Sequence, residues 1–154
     1  MSNIMKVADI LARKGPSVVT IKPTDTIAAL SQRLREKRIG AAVVSSDGRV
    51  FEGVISERDV AYAVAVHKTD LHSMPVSALM TKAVITCSPD DTVAHVASTM
   101  LSRNIRHLPV EQDSRLIGVI SMRDVLNQRL DELQRQASML RAFASSTDIA
   151  PQDR

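Results

Sequence analysis

The sequence predicts an α+β fold of two homologous halves followed by a helical extension, and three observations predict it. GVISERDV at 53–60 returns as GVISMRDV at 118–125, seven letters of eight identical and 65 positions apart. The match extends outward: TIKPTDTIAAL at 20–30 aligns with TCSPDDTVAHV at 86–96, and IGAAVV at 39–44 with IRHLPV at 105–110, both at an offset of 66. The 154 residues are 44% hydrophobic but only 2% aromatic, so the core must come from Val, Ile, Leu, Ala and Met, which suits short strands packed on helices. Units of about 60 residues bury little core alone. Packed together about a pseudo-two-fold axis, they leave two equivalent clefts at the seam, where small ligands usually sit.

Each half opens with a short helical stretch, VADIL at 7–11 and VSALM at 76–80. VVTI at 18–21 and AVITC at 83–87 are short, β-branched and apolar, as buried strands are. Pro23 and Pro89 keep the preceding residues extended. Thr24 or Asp25, and Asp90 or Asp91, are the candidate caps of the next helices. Those helices place Ile27, Leu30 and Leu34, and Val93, Val96 and Met100, on one face. Two apolar runs then flank a polar turn, AAVVSS-DGR-VFEGVIS and HLPV-EQDSR-LIGVIS. Asp47-Gly48 is the stronger hairpin signal and Gln112-Asp113-Ser114 the weaker. Ser56 and Ser121 open the final helices. The result is two βαββα-type repeats, at 5–67 and 76–130, joined by a linker at 68–75.

The last helix continues past the repeat as an extension at 131–144. Leu126, Leu130, Leu133, Ala137, Leu140 and Ala144 recur at spacings of 4, 3, 4, 3 and 4, an a/d seam with polar residues between its members. Such a helix either pairs across a homodimer, the preferred reading, or lies on its own module. The polar tail at 145–154 is expected to be mobile.

Several function classes lose support. The net charge of +3 is spread, with neither the basic stripe nor the stacking aromatics of a nucleic-acid binder. Cys87 is the single cysteine, which excludes an internal disulfide, and its strand-like surroundings favour a core thiol over a reactive one. With no signal core and no apolar run of 18 residues, a soluble cytoplasmic protein without a membrane segment is expected. His67, His72, His95 and His107 lack zinc-site spacing, and there is no P-loop, G-x-G-x-x-G or G-x-S-x-G. The expectation is a non-enzyme with neither metal nor catalytic cofactor.

The repeated Ser-x-Arg-Asp has two readings. Ser56 with Asp59, and Ser121 with Asp124, fit a capping box, each worth about 0.5–2 kcal/mol. A cap does not call for Arg58 and Arg123, which oppose the positive end of the helix dipole. In the second reading the carboxylate accepts bonds from a vicinal diol, the helix start and arginine attract phosphate, and Gly53 or Gly118 admits a ligand or a neighbouring backbone. On the residues alone both readings stand.

GVISERDV, GVISMRDV, the RHLPV at 106–110 and the two P-x-D-T segments resemble a tandem pair of cystathionine-β-synthase (CBS) domains, a Bateman module, over residues 5 to about 130. The resemblance implies adenosine compounds (AMP first, with ADP, ATP, NAD(H) or S-adenosylmethionine as others) in the clefts between two domains, and disc-like dimers. It implies that Asp59 and Asp124 hold ribose hydroxyls with help from Ser56 and Ser121. Thr20, Ile21 and Lys22, and Val84, Ile85 and Thr86, then frame an adenine. Arg58, Arg123, Arg106 and His107 lie near phosphates, with Pro109 in the same segment. For Lys22 a solvated position competes with ligand contact, and for Arg106 a surface ion pair does. The first repeat has Gly40-Ala41-Ala42-Val43 where the second has Arg106-His107-Leu108-Pro109, so the two clefts are expected to differ in affinity or ligand. The leading expectation is a stand-alone energy sensor that reports nucleotide state to an effector protein. A scaffold with empty pockets, or a detached regulatory subunit of an enzyme, are the alternatives.

Overall fold

Pro109 explains the one place where the two halves form sheets of different size. In the first half, β1 (Thr20–Ile21) runs parallel to β2 (Ala41–Val44), which pairs antiparallel with β3 (Gly53–Ser56). The Val43 amide there donates to the Val19 carbonyl at 3.2 Å. The matching residue of the second half is Pro109, which has no N–H to give. Its counterpart of β1 is reduced to one parallel bridge, Cys87 to Val110, beside the two-stranded β4 (His107–Gln112) and β5 (Arg115–Ser121). Of the strand expected at 18–21 only Thr20–Ile21 forms, and of the one expected at 83–87 the described residues 85–87 form the single Cys87 bridge, while 83 and 84 lie outside the described residues. This computed structural model describes residues 4–15, 18–67, 70–82 and 85–147. Among these, no helix is long and apolar enough to cross a membrane.

The helices are α1 (Val7–Lys14), α2 (Ile27–Lys37), α3 (Glu57–Val66), α4 (Val93–Arg103) and α5 (Met122–Thr147), with single 3₁₀ turns at Leu71–Ser73 and Val76–Ala78. The caps of α2 and α4 correct the expectation. Thr26 Oγ1 accepts the Ala29 amide and Thr92 Oγ1 the His95 amide, each at 3.1 Å. Asp25 and Asp91 instead fold the preceding turn by accepting the Lys22 and Ser88 amides at 3.0 and 2.8 Å. The cap is therefore a threonine one residue further on, because Thr26 and Thr92 are the extended residues that immediately precede the helices.

The turns also reverse expectation. Asp113 and Ser114 form the tight two-residue turn between β4 and β5, with φ of +52° and +61°. That pair of positive values is the type I′ geometry, whose twist matches the strands. At Asp47-Gly48 the Asp47 carboxylate accepts the Arg49 and Val50 amides at 2.8 and 2.9 Å and holds a wider loop between Val44 and Gly53. Replacing Asp113-Ser114 with Asn-Gly is expected to raise stability by about 1 kcal/mol, since a serine in the left-handed region carries steric strain that glycine lacks. A urea melt with an unchanged midpoint would count against that turn.

Neither core follows the repeat boundaries. Val7 and Ile10 of α1 pack with Val93, Val96, Met100, Leu108 and Ile120 of the second repeat. The backbone is tied there as well, Val7 and Ala8 donating to the Asp91 and Pro89 carbonyls at 2.9 and 3.0 Å. In the matching place Val76 joins Ile21, Ile27, Leu30 and Ile55 of the first repeat, and its amide donates to the Asp25 carbonyl at 2.8 Å. Each leading segment serves the other half's core.

This exchange accounts for the repeated glycines. A Cβ on Gly53 would stand 2.7 Å from the Thr81 carbonyl oxygen, where the segment after the linker bridges to Val54. One on Gly118 would stand 2.5 Å from Leu11 Cδ2 of α1. The neighbouring backbone considered from sequence is found at Gly53, whereas at Gly118 the neighbour is a side chain, Leu11.

α5 buries Val125 and Gln128 but leaves Leu126, Leu130, Leu133 and Leu140 more than half exposed. Its helix continues to Thr147, into the segment expected to be mobile, while 148–154 lie outside the described residues.

Candidate functional site

β3 and β5 end at Ser56 and Ser121 in matching positions, and each delivers its chain into a helix start. The Ser56 amide donates to Asp59 Oδ2 at 2.8 Å, its hydroxyl donates to the same oxygen at 3.0 Å, and Ser56 Oγ accepts the Asp59 amide at 3.4 Å. The Ser121 amide donates to Asp124 Oδ2 at 2.8 Å, and Ser121 Oγ accepts the Asp124 amide at 3.1 Å. Both capping boxes are formed. Each uses only Oδ2, so among the described residues Oδ1 of Asp59 and of Asp124 accepts from no protein group. A carboxylate oxygen can accept further bonds, so capping and diol binding are compatible in one residue.

The acids differ in what else they touch. Lys14, at the end of α1, donates to Asp124 Oδ2 at 2.8 Å and to the Val119 carbonyl at 2.9 Å. Burial pushes the Asp124 carboxyl up, but the Lys14 bond, the Ser121 amide and the lysine charge outweigh it and leave the acid below its ordinary value. Asp59 has no bonded cation among the described residues.

His107 stands across the seam from the first helix start. It opens β4 opposite Ser121, yet its Cε1 and Glu57 Oε1 lie 3.5 and 3.2 Å from where a Gly40 Cβ would stand. Burial holds its imidazole below the ordinary histidine value, against the pull of Glu57 and Asp124, and Lys14 and Arg106 add to the lowering. Beside Gly40 and Glu57 opens a cavity of about 540 Å³, also lined by Leu34, Arg35, Arg38 and Val60. That volume lies in the ordinary range of ligand pockets.

The remaining candidates divide by exposure. Ile21 and Pro109 are buried in their strands, so what they offer a ligand is backbone, and the Pro109 carbonyl already accepts the Cys87 amide at 3.0 Å. The Thr20 carbonyl accepts from Arg33 at 2.6 Å, while Lys22 is exposed. Ile85 and Thr86 are half-buried, and Val84 lies outside the described residues. Arg58 is half-buried, Arg106 and Arg123 are exposed, and none of the three forms an ion pair among the described residues. The surface pairing considered for Arg106 is therefore not seen.

Sequence reasoning missed Lys14, Glu57, Arg35 and Arg38. Glu57 could have been found, because it is the one letter separating GVISERDV from GVISMRDV. Cys87 is buried, which pushes its thiol up to about 12 with a smaller contribution from Asp91, so it behaves as a core side chain. Among the described residues no group of three His, Cys, Asp or Glu could hold a metal ion.

Comparison with known proteins follows the division into two halves. The family model for the CBS domain matches residues 7–66 and 76–131. A CBS-domain containing protein from Agrobacterium tumefaciens is similar in structure, with a TM-score of 0.78 and 39% identity over 81% of this chain and 99% of that one. A CBS domain protein from Pyrobaculum aerophilum, complexed with AMP, gives 0.69 and 33% over 78% of this chain and 89% of that one. The CBS domain pair of protein MJ0100, in complex with 5′-methylthioadenosine and S-adenosyl-L-methionine, gives 0.73 and 26% over 84% and 99%. With two adjoining matches that span most of its length, the chain belongs to the CBS-domain family as a tandem pair.

Proposed function

We propose that this protein is a non-catalytic regulatory module that binds adenine nucleotides, AMP foremost, in the clefts between its two repeats and passes the bound state to a partner protein. The observation that carries the reading is the uncommitted Oδ1 on both Asp59 and Asp124, each held in place by a cap that uses the other oxygen. The AMP complex of the Pyrobaculum relative and the methylthioadenosine and S-adenosylmethionine complex of the MJ0100 pair support adenosine as the shared element. NAD(H) and ATP carry the same sugar and base and stay within the proposal. The working form is a homodimer in the cytoplasm, and the exposed leucine seam of α5 supports the pairing. Nucleotide acts by binding one arrangement of the halves more tightly than another.

Thermal denaturation with AMP, ATP, NADH and S-adenosylmethionine tests the reading. A ligand at 100 times its dissociation constant is expected to add about 2.7 kcal/mol of stability. A protein that melts at one temperature whatever adenosine compound is added is a scaffold with empty pockets.

A further inference from the structure

The two helix starts share all letters but one and differ in charge. Glu57, Arg58 and Asp59 give the first a formal charge of −1. In the second, Met122 replaces Glu57, and Lys14 joins Arg123 and Asp124 through its 2.8 Å bond, so the formal charge is +1. Lys14 is carried by α1, which precedes the first repeat but packs in the core of the second. Its ammonium has three N–H donors. Two are used, on Asp124 Oδ2 and the Val119 carbonyl, and one remains.

We propose that Lys14 makes the Asp124 site select adenosine ligands that carry an anionic group, so that AMP is preferred over adenosine more strongly there than at the Asp59 site, which has no counterpart of this lysine. The inference rests on the adenine-nucleotide reading and adds to it which of the two sites reads ligand charge. The lysine leaves Oδ1 free for a sugar hydroxyl and places a fixed positive charge beside it. A phosphate on the same sugar meets that charge and the remaining N–H, whereas an uncharged nucleoside gains nothing from either. A cationic tail is repelled. Burial keeps the nearby His107 imidazole largely neutral at neutral pH, so it does not supply the same charge. Matching Asp59 to Asp124 across the repeat finds no cation bonded to Asp59 among the described residues, and Glu57 adds a negative charge instead.

Titration calorimetry with AMP and with adenosine, on the full chain and on Lys14→Met and Lys14→Arg, tests the proposal. Lys14→Met is expected to weaken AMP at one of two sites by about tenfold or more, while adenosine stays within about twofold. Lys14→Arg, which keeps the charge, is expected to restore the preference for AMP. A ratio of AMP to adenosine affinity that does not change in Lys14→Met overturns the proposal. So does an equal loss for both ligands, which would mark Lys14 as a strut for Asp124 only. If the unaltered chain binds neither compound, nor ATP or NADH, the adenine-nucleotide reading itself falls, a result distinct from either of these.

Discussion

Ile10→Ala is expected to cost about 2–5 kcal/mol, and to weaken the half of the molecule that does not contain it in sequence. Ile10 is 4% exposed and packs with Val96, Met100, Leu108 and Ile120. Truncation removes three carbons from a close-packed site and leaves a cavity that neighbours on several elements cannot all close. For a chain of this length the melting temperature should fall by roughly 5–15 °C. Hydrogen exchange locates the damage. Amides of α4, β4 and β5 are expected to lose protection, and those of β2 and β3 to keep theirs, because regions can open separately below the global unfolding free energy. The reverse pattern would mean that α1 belongs to its own repeat.

Asp59→Asn and Asp124→Asn are expected to weaken nucleotide binding by about tenfold or more each, with little change in stability. Asparagine separates the two duties of the residue. Its carbonyl oxygen can still accept the Ser56 or Ser121 amide, so the cap persists. It has lost the charge that strengthens an oxygen's bonds to sugar hydroxyls and can no longer present two equivalent acceptors. Ser56→Ala provides the contrast: a cap loss of about 0.5–2 kcal/mol with a smaller effect on affinity. Calorimetry and chemical denaturation on the three variants measure both axes. If the asparagine variants bind nucleotide as the unaltered chain does, the carboxylates cap their helices, with Asp124 also pairing Lys14, and hold no ligand.

The repeat was legible because its letters are legible. The apolar faces at Ile27, Leu30 and Leu34, and at Val93, Val96 and Met100, became α2 and α4 with those residues buried. The capping box and the diol site looked like rivals in sequence, where an aspartate is one letter; in space it has two oxygens, and the cap takes only one of them. The exchange of leading segments was hidden for another reason. Periodicity says that VADIL must bury a face, but not which core receives it, since the preceding and following halves offer similar surfaces. Lys14 was lost with it, because its partner lies 110 residues away. The tight turn at Asp113-Ser114 was underrated for want of a glycine, although Asp enters the left-handed region more readily than most residues.

The crossed-over starts of the two halves bear on what a single cut would do. A protease that nicks the connector makes two pieces, each holding a splint shaped for the other. Neither piece can shut its own interior, since Val7 and Ile10 leave with the first and Val76 with the second. Mixed again, they should find each other and regain the parent's spectrum, like the halves of a clasp.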